Sequence, residues 1–103
     1  MTLGAKRRKF THMLALLILH AEHLGYGVAA DYLKRCSSCP VGLDNSVHKN
    51  GLGLDLNLYN KSNQYLSAGV HHIPLHDYWD SIGGAPRIDR DMNHYSLEHH
   101  GVR

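Results

Sequence analysis

The chain has 103 residues and a mass of 11.6 kDa, which allows one domain and excludes a second. Its 43% hydrophobic and 19% charged residues are typical of a folded globular chain and exclude intrinsic disorder. The formal net charge of +2 is too small to indicate a nucleic-acid partner. We therefore expect a monomer that folds as a single domain over residues 1–103, with residues 1–5 flexible, and that does not bind nucleic acid.

The first predicted element is an amphipathic helix over residues 10–24. Apolar side chains recur there at steps of three and four residues, and Gly25 and Gly27 follow the pattern. The uninterrupted apolar run covers only residues 13–19, whereas a bilayer-spanning helix needs ~20 apolar residues. No small-residue cleavage site follows this run, so we expect neither a membrane span nor a signal peptide.

The next elements are short strands. We expect one strand over residues 26–32. Residues 54–59 then alternate leucines with polar or aromatic residues, and this period of two predicts a half-buried strand. Because the leucines should face the core, Asp55 and Asn57 should lie on the opposite face. Residues 60–66 read as a turn followed by a returning hairpin strand.

The last elements are a helix over residues 74–82, with Pro74 in its first turn, and a short strand over residues 94–97. These elements together predict an α+β fold, with helices packed on one face of a small, mainly antiparallel sheet.

Two stretches carry side chains that could bind a metal. His48 lies seven residues before Asp55, and two glycines between them permit a tight turn. Asp91 and His94 lie three residues apart, so both could reach one ion or one water. Catalytic zinc takes three nitrogen or oxygen ligands and one water, a set that His48, Asp55 and His94 would supply. Asp91 would then serve as general base. An alternative of equal weight makes His48 exposed, Asp55 a turn cap and Asp91 part of a solvated loop.

The other eight of the ten histidines and the two cysteines suggest further candidates. We expect His20 and His23 to face solvent from the first helix. His71 and His72 are placed in a loop that could fold over the site. Cys36 and Cys39 form a CxxC pair, but the chain has no second CxxC to complete a four-cysteine zinc site. We therefore expect both thiols to be reduced and not to bind zinc.

The segment Ser46-x-His48-x-x-Gly51-x-Gly53-x-Asp55, followed by Asp91-x-Asn93-His94-Tyr95-Ser96, resembles the zinc peptidases of the D-alanyl-D-alanine carboxypeptidase type. This VanY-like family includes the L-alanyl-D-glutamate endopeptidases that bacteriophages use as endolysins. Residues 82–86 and 93–96 look most similar to that endolysin branch. The family has alanine where this chain has Gly53, and residues 85–90 replace its usual Trp-Gly-Gly-Asp segment.

The resemblance implies zinc on His48, Asp55 and His94, and a catalytic acid at Asp91. It places the family's substrate-side arginine at Arg35 and its motif serine, Ser46, near the site. The implied activity is hydrolysis of peptidoglycan stem peptides, with L-Ala-D-Glu endopeptidase favoured over D-Ala-D-Ala carboxypeptidase. Such an enzyme would reside in the cytoplasm of an infected bacterial host and act on the cell wall after release. Alternatives are a non-catalytic metal-binding cell-wall module and a small His-dependent metal nuclease.

Overall fold

The computed structural model of the protein describes residues 2–30 and 51–98. Within these ranges the chain forms two α-helices and a four-stranded antiparallel sheet, which confirms the α+β prediction. The elements, in chain order, are α1 (Leu3–His23), β1 (Gly27–Ala30), β2 (Gly53–Tyr59), β3 (Tyr65–Leu66), a 3₁₀ turn (Gly69–His72), α2 (Ile73–Ser81) and β4 (His94–Ser96).

Helix α1 begins at Leu3, seven residues before its predicted start. The side-chain oxygen of Thr2 accepts a hydrogen bond from the Ala5 amide at 3.1 Å, which caps the first turn and lets the helix begin early. The helix ends before Gly25, whose φ of +98° lies in the left-handed region that favours glycine. No helix within residues 2–30 and 51–98 is long and apolar enough to cross a membrane.

The histidines of α1 differ in their surroundings. His23 is exposed as predicted, whereas His20 is half-buried and faces solvent only in part. The His20 ring stacks on Tyr78 of α2, with ring centroids 4.1 Å apart and planes inclined by 8°. Because α1 and α2 pack against each other, an aromatic ring covers one face of the imidazole.

Strand β2 organises the sheet because it pairs with each of the other three described strands. Its leucines at positions 54, 56 and 58 are buried, while the residues between them are only half-buried, so the predicted alternation is confirmed. The leucine face carries the core and both helices. The buried cluster contains Phe10, Met13, Leu17, Ala21, Leu52, Leu54, Leu56, Leu58, Leu75, Trp79, Tyr95 and Leu97.

Trp79 of α2 joins the second helix to β4. Its side chain is fully buried, and its Nε1–H donates a hydrogen bond to the Ser96 carbonyl at 3.0 Å. The edge of its ring meets Phe10 and Tyr95, with centroids 5.9 Å apart in each pair. A Cβ placed on Gly84 would lie 2.0 Å from Trp79 Nε1, so the chain can pass over the indole only because residue 84 is glycine. These contacts hold α2 against β4.

Candidate metal centre

The centre begins with a cross-strand pair. Asp55 of β2 and His94 of β4 lie directly opposite each other in the antiparallel register. Both side chains leave the sheet on the face opposite the buried leucines, as the alternation of β2 predicts for Asp55. His94 Nδ1 lies 3.2 Å from Asp55 Oδ1, and the two side chains are only 5% and 16% exposed. The pairing therefore places a carboxylate and an imidazole together in a nearly solvent-free position.

Asp91 completes a group of three potential ligands. The Asp91 amide donates to the Ile88 carbonyl at 2.8 Å, and the His94 amide donates to the Asp91 carbonyl at 3.0 Å. These two hydrogen bonds form a tight turn immediately before β4, which returns the Asp91 side chain toward His94. One ligand atom each from Asp55, Asp91 and His94 lies within 4.8 Å of the other two. These three residues could hold a metal ion.

The segment leading into β4 is also tied to the centre of the sheet. The Leu56 amide donates a hydrogen bond to the Asn93 carbonyl at 2.8 Å. The side-chain amide of Asn93 donates to Asn57 Oδ1 at 3.3 Å. Asn57 lies on the same face of β2 as Asp55, so this polar face extends beyond the three potential ligands. Its hydrogen bonds hold residues 91–94 in one position relative to β2.

The segment that leads into β4 is also contacted by a buried histidine of α2, for which the sequence predicted no role in the site. His76 of α2 is 1% exposed, and its Nε2–H donates to the Met92 carbonyl at 2.6 Å. Its ring stacks on Tyr95, with centroids 4.3 Å apart and planes inclined by 12°. Burial is the main cause that lowers the pKa of His76, and the neutral ring carries its proton on Nε2. The sequence carried one signal for this burial: His76 directly follows Leu75, so it lies beside the apolar side chains of α2 that face the core.

His72 forms a second buried contact on the same side. Its Nδ1 lies 2.7 Å from the Tyr95 hydroxyl, which has no other hydrogen-bond partner among residues 2–30 and 51–98. Burial raises the pKa of the Tyr95 phenol, so the hydroxyl stays protonated at neutral pH. Burial, with the nearby charges of His76 and His71, lowers the pKa of His72 to about 4. His72 is therefore a neutral imidazole at pH 7, and it lies in the 3₁₀ turn rather than in an open loop.

The structure brings together three of the residues predicted for the site: Asp55, Asp91 and His94. The other predicted site residues, His48, Arg35 and Ser46, lie outside the described residues, as do Cys36 and Cys39. The prediction that His48 ligates the metal therefore stays a prediction. A scan against protein-family models and searches of curated proteins and of solved structures found no match to this chain.

Proposed function

We propose that the protein is a zinc-dependent peptidase that hydrolyses peptide bonds in the stem peptides of bacterial peptidoglycan. The observation that carries the proposal is the group formed by Asp55, Asp91 and His94. These are the described members of the motif that resembles the zinc carboxypeptidase and endopeptidase family. Asp55 and His94 come from two different strands and are 39 positions apart in the sequence, so their meeting does not follow from proximity in the chain.

The donor set fits zinc. Two ligands bound ~2.0–2.1 Å from a tetrahedral zinc ion are separated by about 3.3 Å. The distance between Asp55 Oδ1 and His94 Nδ1 is 3.2 Å. One carboxylate oxygen and one imidazole nitrogen at this separation suit the borderline-soft Zn²⁺ better than Ca²⁺ or Mg²⁺, which prefer oxygen ligands alone. A plain hydrogen bond has the same length, so metal analysis decides between the two.

In the proposed mechanism, Asp55 and His94 hold the ion together with His48. Zinc would lower the pKa of a bound water and polarise the scissile carbonyl. Asp91 would take the proton of the attacking water and pass it to the leaving amine. Arg35 would neutralise charge that develops on the substrate, with Ser46 nearby, as the family resemblance implies.

Asp91 is close enough to the other two residues to be a ligand instead of the base. Replacing Asp91 by Asn distinguishes the two roles, because a general base can be removed without loss of the metal. We expect the Asp91→Asn protein to keep about one zinc per chain and to lose turnover by a factor of about 10² to 10⁴. His94→Ala should lose both zinc and activity. Asp77→Asn is the matched control, since Asp77 is an exposed aspartate of α2 and is not one of the three potential ligands.

The deciding experiment is digestion of purified peptidoglycan by the zinc-loaded protein, followed by mass spectrometry of the products. New amino termini on D-Glu would identify an L-Ala-D-Glu endopeptidase, the expected result, and free D-Ala would identify a carboxypeptidase. Chelation of the metal should abolish the reaction and lower the melting temperature, because metal binding stabilises the folded state. An active protein without zinc would refute the proposal. Bound zinc with no released product would instead show a non-catalytic metal-binding module.

A further inference from the structure

A pocket of about 290 Å³ opens beside Asp91. We call it the Asp91 pocket. It lies between the 3₁₀ turn and the segment that leads into β4, and every residue that lines it belongs to the described part of the chain. Its volume is near the lower limit of about 300 Å³ for small-molecule sites, which is enough for one amino-acid residue of a peptide but not for a glycan chain. Its charged and hydrogen-bonding residues include His72, Asp89, Arg90, Asp91 and Asn93.

His72 gives the pocket an imidazole that is held in place. The residue lines the pocket although it is only 4% exposed. Its Nδ1 lies 2.7 Å from the Tyr95 hydroxyl, which leaves Nε2 as the ring nitrogen for a ligand. In the tautomer whose Nδ1 accepts from Tyr95, Nε2–H donates to that ligand. Tyr95 is fully buried, so the imidazole is held by a neighbour that cannot itself move into solvent. A donor with so little freedom needs little ordering when a ligand binds.

Arg90 gives the pocket a positive charge. Within residues 2–30 and 51–98 the guanidinium of Arg90 makes no ion pair, whereas the neighbouring Asp89 carboxylate is paired with Arg87 at 3.4 Å. The adjacent Asp91 carboxylate is assigned to the metal centre and to proton transfer. The guanidinium therefore remains as the cation of the pocket. Arginine binds a carboxylate through two parallel charge-assisted hydrogen bonds, and a neutral group on a peptide, such as an amide, cannot accept both of them.

We propose that the Asp91 pocket binds a free carboxylate of the stem peptide next to the scissile bond, with Arg90 supplying the charge and His72 a neutral donor. This inference rests on the proposed peptidase function and identifies the substrate group that the pocket binds. For an L-Ala-D-Glu endopeptidase the group is the α-carboxylate of D-Glu, which flanks the bond that is cut. The enzyme should then prefer stem peptides with this carboxylate free over those in which it is an amide.

The test compares two synthetic stem peptides that differ only in the D-Glu α-carboxylate or α-carboxamide. We expect the zinc-loaded protein to cleave the acid with a kcat/KM about tenfold higher than the amide. Arg90→Gln should reduce this ratio to about 1 by raising KM for the acid alone. His72→Phe should raise KM for both peptides. Arg8→Gln is the matched control, because Arg8 is an exposed arginine of α1 and does not line the pocket.

Binding of both peptides is also measured by NMR titration of the zinc-loaded protein, so that the pocket is tested independently of turnover. If neither peptide is cleaved but the acid still binds more tightly in an Arg90-dependent manner, the peptidase proposal fails and the pocket assignment stands. If cleavage occurs with equal efficiency for acid and amide, the pocket assignment is overturned and the peptidase proposal stands. Equal or absent binding of the two peptides, or equal loss of preference in the Arg90 and Arg8 variants, also overturns it.

Discussion

The contact between His76 and the Met92 carbonyl predicts that a buried side chain of α2 controls the metal centre without touching it. Met92 lies between Asp91 and His94, and its carbonyl accepts the His76 Nε2–H at 2.6 Å. Replacing His76 by Phe keeps an aromatic ring that can stack on Tyr95. It removes the Nε2–H donor together with Nδ1, which is buried and has no hydrogen-bond partner among the described residues. The substitution therefore tests the hydrogen bond while an aromatic ring stays in place.

The expected magnitude follows from that hydrogen bond. A neutral hydrogen bond contributes about 0.5–1.5 kcal/mol, and a carbonyl left without a donor in a partly buried position adds a desolvation cost of about 1 kcal/mol. We expect His76→Phe to lower the free energy of unfolding by about 2 kcal/mol. Loosening residues 91–94 should also weaken zinc binding about tenfold, the lower end of the effect of losing an outer-shell partner.

Two measurements check this prediction: urea denaturation of the metal-free protein, and competition of the folded protein with a zinc chelator. His71→Phe is the matched control, because His71 is half-buried and contacts the Tyr26 hydroxyl at 3.4 Å rather than residues 91–94. Unchanged zinc affinity in the His76→Phe protein, or an equal loss in the His71→Phe protein, would refute the positioning role. A loss of stability without any change in zinc affinity would limit His76 to packing.

Three further predictions follow from individual residues. Gly84→Ala should lower the free energy of unfolding by about 3 kcal/mol, measured by urea denaturation, because its Cβ would lie 2.0 Å from Trp79 Nε1; a smaller loss than 1 kcal/mol would contradict the close approach. The pKa of His72 is about 4 in the folded protein and 6.5 in the unfolded chain, so the free energy of unfolding should have its full value above pH 6.5 and fall by up to about 3 kcal/mol as the pH drops to 4 and below. His72→Phe should flatten this part of the stability–pH curve of the metal-free protein, and an unchanged slope would contradict the prediction. Replacing Cys36 and Cys39 together by Ser should keep bound zinc and change stability by less than about 1 kcal/mol, whereas loss of zinc in metal analysis would show that the thiols are ligands.

The sequence by itself determined the local features of this protein. The leucine alternation predicted β2 and placed Asp55 on the face away from the core, and β2 has this arrangement. The Pro74 signal located α2 to within one residue at each end. The spacing of Asp91 and His94 indicated that both could reach one ion. Period and spacing are properties of consecutive residues, so a single strand or helix carries them without reference to the rest of the chain.

The tertiary structure alone decided which distant residues meet. The register that opposes Asp55 to His94 depends on hydrogen bonds between two strands that are distant in the sequence, with the two residues 39 positions apart, and no local pattern specifies it. The sequence also could not predict that His76 and His72 are buried, because both are covered by Tyr95 of β4. A polar ring on a helix is exposed or buried according to what the opposite element places against it. The composition of the helix does not determine that neighbour, whereas the packing of the whole core does.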